Sequence, residues 1–349
     1  MLGSLVLSVT YKCPIQCKYC GVNASPYRRD KMSLAFITRV IDEVNALGLR
    51  SLVVFTGGEP FLLGDDLTRA VEYATSKGFL TRVVTNAYWA TSPERAQTTL
   101  ARLKSAGLTE INYSCDDFHQ AFIPLERIKW ANEAAIAVNL PALLAVKGLK
   151  NTLITIEYLE QFLGVKLATY CKGQPNPKHN VASFGVTVPV GWESDQLSDS
   201  DLVYSAEEFV KLPCASALER IVITPRGELA ICCGIGSDDF PESIIGSLHD
   251  KPLLDLLIQA NDDLIVNWLA LEGPYGIMRF IQEQDPTISF RNRYVNMCHL
   301  CHDIFSRRET RSILRRTAHT RVPSVSLNRA WLEAHRSEMF GIGTQCHSS

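Results

Sequence analysis

A chain of 349 residues with 46% hydrophobic and 21% charged side chains has the composition of a globular protein able to bury a sizeable core, and its length suits one large domain joined to a smaller one. A bare peptide, a lone zinc finger and a mainly disordered chain are excluded. Lys and Arg number 35 against 37 Asp and Glu, so a formal net charge of -2 supplies no global field to draw in nucleic acid or an anionic membrane.

Residues 5–10 (LVLSVT) open the chain as a buried strand. Ser33 then caps a helix whose apolar residues Ile37, Val40, Ile41, Val44 and Leu47 recur at helical spacing, and residues 51–55 (SLVVF) follow as a second strand. The alternation continues with a helix at 65–76, a strand at 79–84 and a helix opened by Ser92 and Pro93, where Pro suits the first helical position. Next come a strand at 110–114, a helix at 124–137, a strand at 140–146, a helix at 153–163 and a strand at 181–189. About six β/α repeats before residue 190 predict an α/β fold with parallel strands and right-handed crossovers, which both an open doubly wound sheet and a full or partial barrel satisfy. In either, chemistry belongs at the C-terminal ends of the strands.

From about residue 200 the rhythm gives way to short strands and cysteine pairs, with a hairpin around Pro225, Arg226 and Gly227, so a second, smaller region is expected. Past Cys301 the chain turns basic, eight Arg against four acidic residues, and reads as a solvated terminal helix with a loose tail. The domain expectation is therefore 1–200, 201–305 and a basic 306–349. The longest nearly apolar run, 134–146, is interrupted by Asn139 and Pro141 and falls well short of the roughly 20 residues of a membrane span. Residues 1–10 lack a basic n-region, and a cytoplasmic chain is expected. Eleven cysteines, seven of them in three short clusters, then argue for metal rather than disulfides.

Cys13, Cys17 and Cys20 place three thiols within eight residues directly after the first strand. A structural zinc closes a tetrahedral set of four ligands, whereas an iron-sulfur cubane held by three cysteines leaves one iron open to a further ligand. One β/α unit later stand Gly57, Gly58, Glu59 and Pro60 after Thr56. A glycine pair lets backbone approach a ligand, and a carboxylate accepts hydrogen bonds from an ammonium group, although such a sequence alone also suits a plain strand-to-helix turn.

The CxxxCxxC spacing, with Tyr19 before the last cysteine and GGEP one unit on, resembles the radical S-adenosylmethionine (SAM) superfamily. The resemblance implies a partial (β/α)6 barrel in which Cys13, Cys17 and Cys20 ligate a [4Fe-4S] cluster. SAM would chelate the open iron through its amino and carboxylate groups, and reduction would cleave it to a 5′-deoxyadenosyl radical that abstracts a substrate hydrogen atom. It also implies an electron donor such as flavodoxin or ferredoxin. Gly57, Gly58, Glu59, Pro60 and Tyr19 become cofactor-binding candidates, joined by Thr85 and Asn86 after strand three and Ser114 and Asp116 after strand four. Period-2 alternation sets Ser114 and Asp116 on one face and Cys115 on the other, which makes Cys115 a core thiol. Asp117 and His119 are candidate catalytic residues facing substrate, with a helix-capping Asp and a surface His as the plainer readings.

In the second region Cys214, Cys232, Cys298 and Cys301 form two pairs, and four thiols suit either a closed zinc site or an auxiliary cluster. A Cys, a Gly and a second Cys followed distantly by CxxC resemble the auxiliary-cluster domain of SPASM enzymes, here in the shortened twitch form. That resemblance implies one auxiliary [4Fe-4S] cluster. Cys233 is then either an unused thiol or a hydrogen donor of the kind found in peptide epimerases of the superfamily, while Cys171 and Cys346 read as bystanders. SPASM and twitch enzymes imply maturation of a ribosomally made peptide by epimerisation, thioether formation or C–C crosslinking. The alternative they imply is oxidation of a small-molecule alcohol or sugar. Because the chain opens at strand one, a leader peptide is expected to need a separate binding protein or the basic tail. A zinc-stabilised interaction protein without activity is the non-enzymatic alternative.

Overall fold

The computed structural model describes residues 3–49, 52–171, 175–232, 234–236 and 238–334. Its strands are β1 (Ser4–Thr10), β2 (Leu52–Gly57), β3 (Leu80–Thr85), β4 (Glu110–Ser114), β5 (Ala142–Gly148), β6 (Ala168–Thr169), β7 (Val181–Val186), β8 (Arg220–Ile223), β9 (Glu228–Ala230) and β10 (Ile244–Ser247). They form one sheet in the order β10-β9-β8-β1-β2-β3-β4-β5-β7-β6. β1 through β5 and then β7 lie side by side in chain order and all run parallel. The helices Leu34–Ala46, Asp65–Ser76, Pro93–Ser105 and Leu125–Ala137 pack against one another in the same order. Winding that runs one way from β1 through β5 to β7 is barrel winding, and among the described residues nothing pairs beyond β6 or β10, so the barrel is partial and open.

Alternation along each strand builds two apolar layers. Leu5, Leu7 and Val9 are fully buried in the main core beneath the helices, while Val6 joins Val54, Val222 and Ala230 in a separate inner cluster. The helix starts follow local chemistry: Ser33 accepts from the Phe36 amide at 3.2 Å and Ser92 from the Arg95 amide at 3.2 Å, with Pro93 in the first turn. The helix expected at 153–163 begins later, as Ile156–Leu163, because Asp117 takes the Leu153 and Ile154 amides and Thr155 becomes the cap.

The region past residue 200 extends the same sheet. β8 pairs in parallel with β1, and β9 and β10 add antiparallel strands after the turn at Gly227, whose φ of 79° suits glycine. Beyond it the helices Met297–Ser306, Arg308–Thr317 and Val322–Ala334 supply the expected terminal helix but pack it on the body instead of leaving it solvated. Arg311 meets Glu242 at 2.7 Å, Arg321 meets Glu272 at 2.6 Å and covers the Trp268 ring, and Arg329 reaches Asn261 and Asn267. These guanidinium groups tie helices to the body instead of waiting in solvent. Residues 335–349, with Arg336 and Cys346, lie outside the described residues. No described helix is long and apolar enough to cross a membrane.

Candidate active site

The C-terminal ends of β1–β5 and β7 converge on a cavity of about 450 Å3, a size suited to a drug-sized ligand. Cys13, Cys17 and Cys20 line it, as do Tyr19, Gly57, Gly58, Thr85, Asn86, Ser114, Asp116 and His119. Sequence candidates scattered over more than a hundred residues thus share one wall. Glu59, Pro60 and Asp117 are not part of it.

The cysteine loop is a closed excursion from the end of β1. The Cys13 amide donates to the Ser25 carbonyl at 3.1 Å and the Ser25 amide to the Tyr11 carbonyl at 3.2 Å, so the three cysteines are carried on a stem with paired backbone. Cys13 and Cys17 are buried and Cys20 is half-buried, its sulfur accepting from the Ala24 amide at 3.4 Å. Burial pushes the Cys13 thiol far above its ordinary value, with Glu59 and the other two cysteines adding to the rise, and burial likewise raises Cys20. Metal-bound sulfur is thiolate, so loading this site releases protons.

The glycine pair, which lines the cavity, also has a packing role. A Cβ on Gly58 would stand 2.2 Å from the Lys12 carbonyl oxygen, and one on Gly57, whose φ is 121°, 2.4 Å from that of Thr10. The glycines let β2 press against the stem of the cysteine loop, and the Gly58 and Glu59 amides donate to the Thr10 and Lys12 carbonyls at 2.6 and 3.0 Å. Glu59 is a correction. It is fully buried behind the wall, accepting from the Thr85 hydroxyl at 2.8 Å, the Asn86 amide at 2.9 Å and the Phe61 amide at 3.2 Å. Burial pushes its carboxyl up to about 7 against those donors. Pro60, also buried, opens the short 3-10 turn Pro60–Leu63.

After β4 the faces separate as alternation requires: Cys115 is fully buried in the main core, while Ser114 and Asp116 line the cavity. Asp116 caps the turn Asp117–Gln120 and lies 2.7 Å from His119 Nδ1. Burial opposes charge on that imidazole, but Asp116 and the neighbouring Cys17 outweigh it and hold His119 well above its usual value. His119 therefore belongs to the cavity, not to the open surface. Asp117 is corrected to a loop anchor, accepting from the Thr152 hydroxyl and the Leu153 and Ile154 amides at 2.7, 2.8 and 2.8 Å.

Two lining residues escaped the sequence reading. Lys147, at the end of β5, brings a cation to the cavity, and Thr187, just past β7, has a buried hydroxyl with no partner among the described residues. Lys147 is signalled in sequence by a charge in the otherwise apolar run ALLAVKG, and Thr187 by nothing. An orphaned buried hydroxyl in a cavity that also offers three thiols, a cation and a carboxylate fits a polar, sulfur-seeking guest.

The second cysteine set also converges. Cys214 precedes the turn Ser216–Glu219, Cys232 follows β9, and Cys298 and Cys301 lie one turn apart on Met297–Ser306, whose Asn296 cap accepts from the Cys298 amide at 3.0 Å. Burial drives the Cys301 thiol far up, and Cys232, Cys214 and Cys298 push it further, so all three act on Cys301. Among the described residues no three His, Cys, Asp or Glu close on a point that would hold a single metal ion. A cubane spreads its cysteines over separate irons and spaces them more widely than one ion does. Cys233 lies outside the described residues, and Cys171 is occupied locally, its amide donating to Asn176 at 2.9 Å.

Residues 7–159 match the family model described as the radical SAM superfamily. Somewhat less than half of this chain thus resembles that superfamily. Its members use a [4Fe-4S] cluster and SAM, and the thiol-lined cavity lies within or beside the matched segment. Among curated relatives, a GTP 3′,8-cyclase of Synechococcus elongatus is 35% identical over 151 residues, covering 40% of this chain and 44% of the cyclase. A Bacillus subtilis protein named for peptide biosynthesis, YydG, is 20% identical over 312 residues, 87% of this chain and 92% of YydG. A PqqA peptide cyclase of Bradyrhizobium diazoefficiens is 27% identical over 157 residues, 40% of this chain and 39% of that protein. The chain thus spans less than half of the two cyclases and nearly all of YydG.

Proposed function

We propose that this chain is a radical SAM enzyme that modifies a peptide, with Cys13, Cys17 and Cys20 holding the SAM-binding [4Fe-4S] cluster and Cys214, Cys232, Cys298 and Cys301 an auxiliary one. The observation that carries the reading is the single cavity at the strand ends that gathers the three thiols, the glycine turn and the polar ends of β3 and β4. When bound, cluster and SAM together supply a 5′-deoxyadenosyl radical able to take a hydrogen atom from an unactivated C–H bond. The chain's own part is placement. The cysteine stem fixes the thiols against β2, Ser114 and Asp116 offer polar contacts, and Lys147 and Thr187 in the same cavity suit a carboxylate and a hydrogen-bond donor of the guests. Support for a peptide comes from YydG, whose similarity covers 87% of this chain, and from the PqqA peptide cyclase, whose similarity covers 40% of it. Residues 1–200 then act as the radical-generating unit and 201–305 as the auxiliary unit, with a flavodoxin or ferredoxin as electron source.

The test is anaerobic reconstitution followed by reduction with dithionite. The intact chain should convert SAM to 5′-deoxyadenosine and carry about eight irons, four per cubane. A Cys13→Ala/Cys17→Ala/Cys20→Ala variant that still made 5′-deoxyadenosine would remove the assignment, and stoichiometric zinc with about four irons would remove the auxiliary cluster.

A further inference from the structure

Asn86 lines the cavity, yet its side chain is not turned toward the open space. Its Nδ2 donates to Cys13 Sγ at 3.5 Å, within sulfur hydrogen-bond range, and the residue is only 5% exposed. The amide orientation follows from its neighbours: Oδ1 accepts from the Tyr88 amide at 3.0 Å, so swapping the two ends would set one donor against another. The backbone is pinned as well, since the Asn86 amide donates to Glu59 Oε2 at 2.9 Å while Thr85 holds the other carboxylate oxygen at 2.8 Å. A turn asparagine needs only its oxygen to accept from the amide two residues on. Here the NH2 group is held as well, and Cys13 Sγ is its partner among the described residues.

Resting on the assignment of Cys13 as a cluster ligand, we infer that Asn86 is a positioning residue that sets the reduction potential of the SAM-binding cluster through its N–H···S bond to Cys13. One electron, delivered by an external reductant, adds negative charge that spreads onto the cysteine sulfurs. A donor fixed on one of those sulfurs stabilises the reduced state more than the oxidised one, and so moves the potential upward. The buried Glu59 carboxylate explains itself in the same way: it holds the backbone from which this donor is aimed.

The experiment is a redox titration of the anaerobically loaded holoenzyme, following the EPR signal of the reduced cluster, in the wild type, Asn86→Asp and Asn86→Leu. Asn86→Asp keeps the acceptor for the Tyr88 amide, and with it the turn, but removes the donor; Asn86→Leu removes both. Both variants should load wild-type iron and show a more negative midpoint, the larger shift in Asn86→Asp because a carboxylate also adds charge beside the sulfur. A midpoint equal to wild type in an iron-replete variant overturns the inference and leaves the ligand assignment standing. A Cys13→Ala chain that keeps a complete, SAM-responsive cubane overturns the assignment itself. Should neither Asn86 variant load iron, wild-type protein labelled with 15N-asparagine decides: pulsed EPR of the reduced cluster should detect a 15N coupling, and its absence overturns the inference.

Discussion

Glu59 is the residue whose chemistry departs most from its sequence reading. GGEP invites a carboxylate facing a ligand, but the group is fully buried, and three donors offset its burial only in part. The sign of the consequence is fixed. A carboxyl whose folded value stands at about 7 rather than 4.5 favours its protonated form in the native state, so the associated stability is complete below pH 4.5 and is lost as pH rises through about 7. The loss amounts to roughly 3 kcal/mol. Glu59→Gln, neutral at every pH, should flatten the fall of the thermal midpoint of the iron-free protein between pH 5 and 8. A slope as steep as in the wild type would mean that Glu59 ionises in the fold without cost.

Among elements, the contact of the β2 turn with the cysteine stem decides what a glycine substitution does. With the Lys12 oxygen 2.2 Å from the position of its Cβ, Gly58→Ala must displace the stem that carries Cys13. Iron content and SAM binding should therefore fall together, as iron analysis and equilibrium dialysis would show, while the fold persists. Loss of SAM affinity with full iron would restore the view that the glycine serves the ligand alone. This case also marks how far sequence reasoning reaches. Strands and helices were legible because apolar periodicity and caps such as Ser33 and Ser92 are local, and the split of Ser114 and Asp116 from Cys115 followed from alternation alone. What fills the space over Gly58 comes from a loop 46 residues earlier in the chain, and Asp117 binds amides 36 and 37 residues later. Long-range partners of that kind leave no trace in spacing. The arginines after Cys301 misled for the same reason, since Glu242 and Glu272 lie far from them in sequence.

Over the whole molecule, the loops that follow Cys20 and Cys232 touch. Gly21, directly after Cys20, accepts from the Gly236 amide at 2.6 Å, and its missing Cβ would fall 2.1 Å from the Gly234 carbonyl oxygen, two residues past Cys232. Asn23 donates to Asp239 at 3.0 Å, and Arg28, Asp30, Arg226 and Asp238 close a ring of four ion pairs beside Tyr11, joining the cysteine stem to the β8–β9 hairpin. Ligand loops that share backbone contacts are linked thermodynamically: ordering one by metal lowers the cost of ordering the other, and the coupling is reciprocal. Independent sites would let a Cys298→Ala/Cys301→Ala variant lose half its iron and cleave SAM as before. The contacts predict more, namely iron below half and faster release from the remaining site to a chelator, with uncoupled SAM cleavage reduced in proportion to the iron retained. Trapping the Cys13, Cys17 and Cys20 thiols with an alkylating agent gives a second readout, because they should react faster in the variant. An iron count held at half, with wild-type chelation and alkylation rates, would show that the shared loop contacts transmit nothing between the two sites.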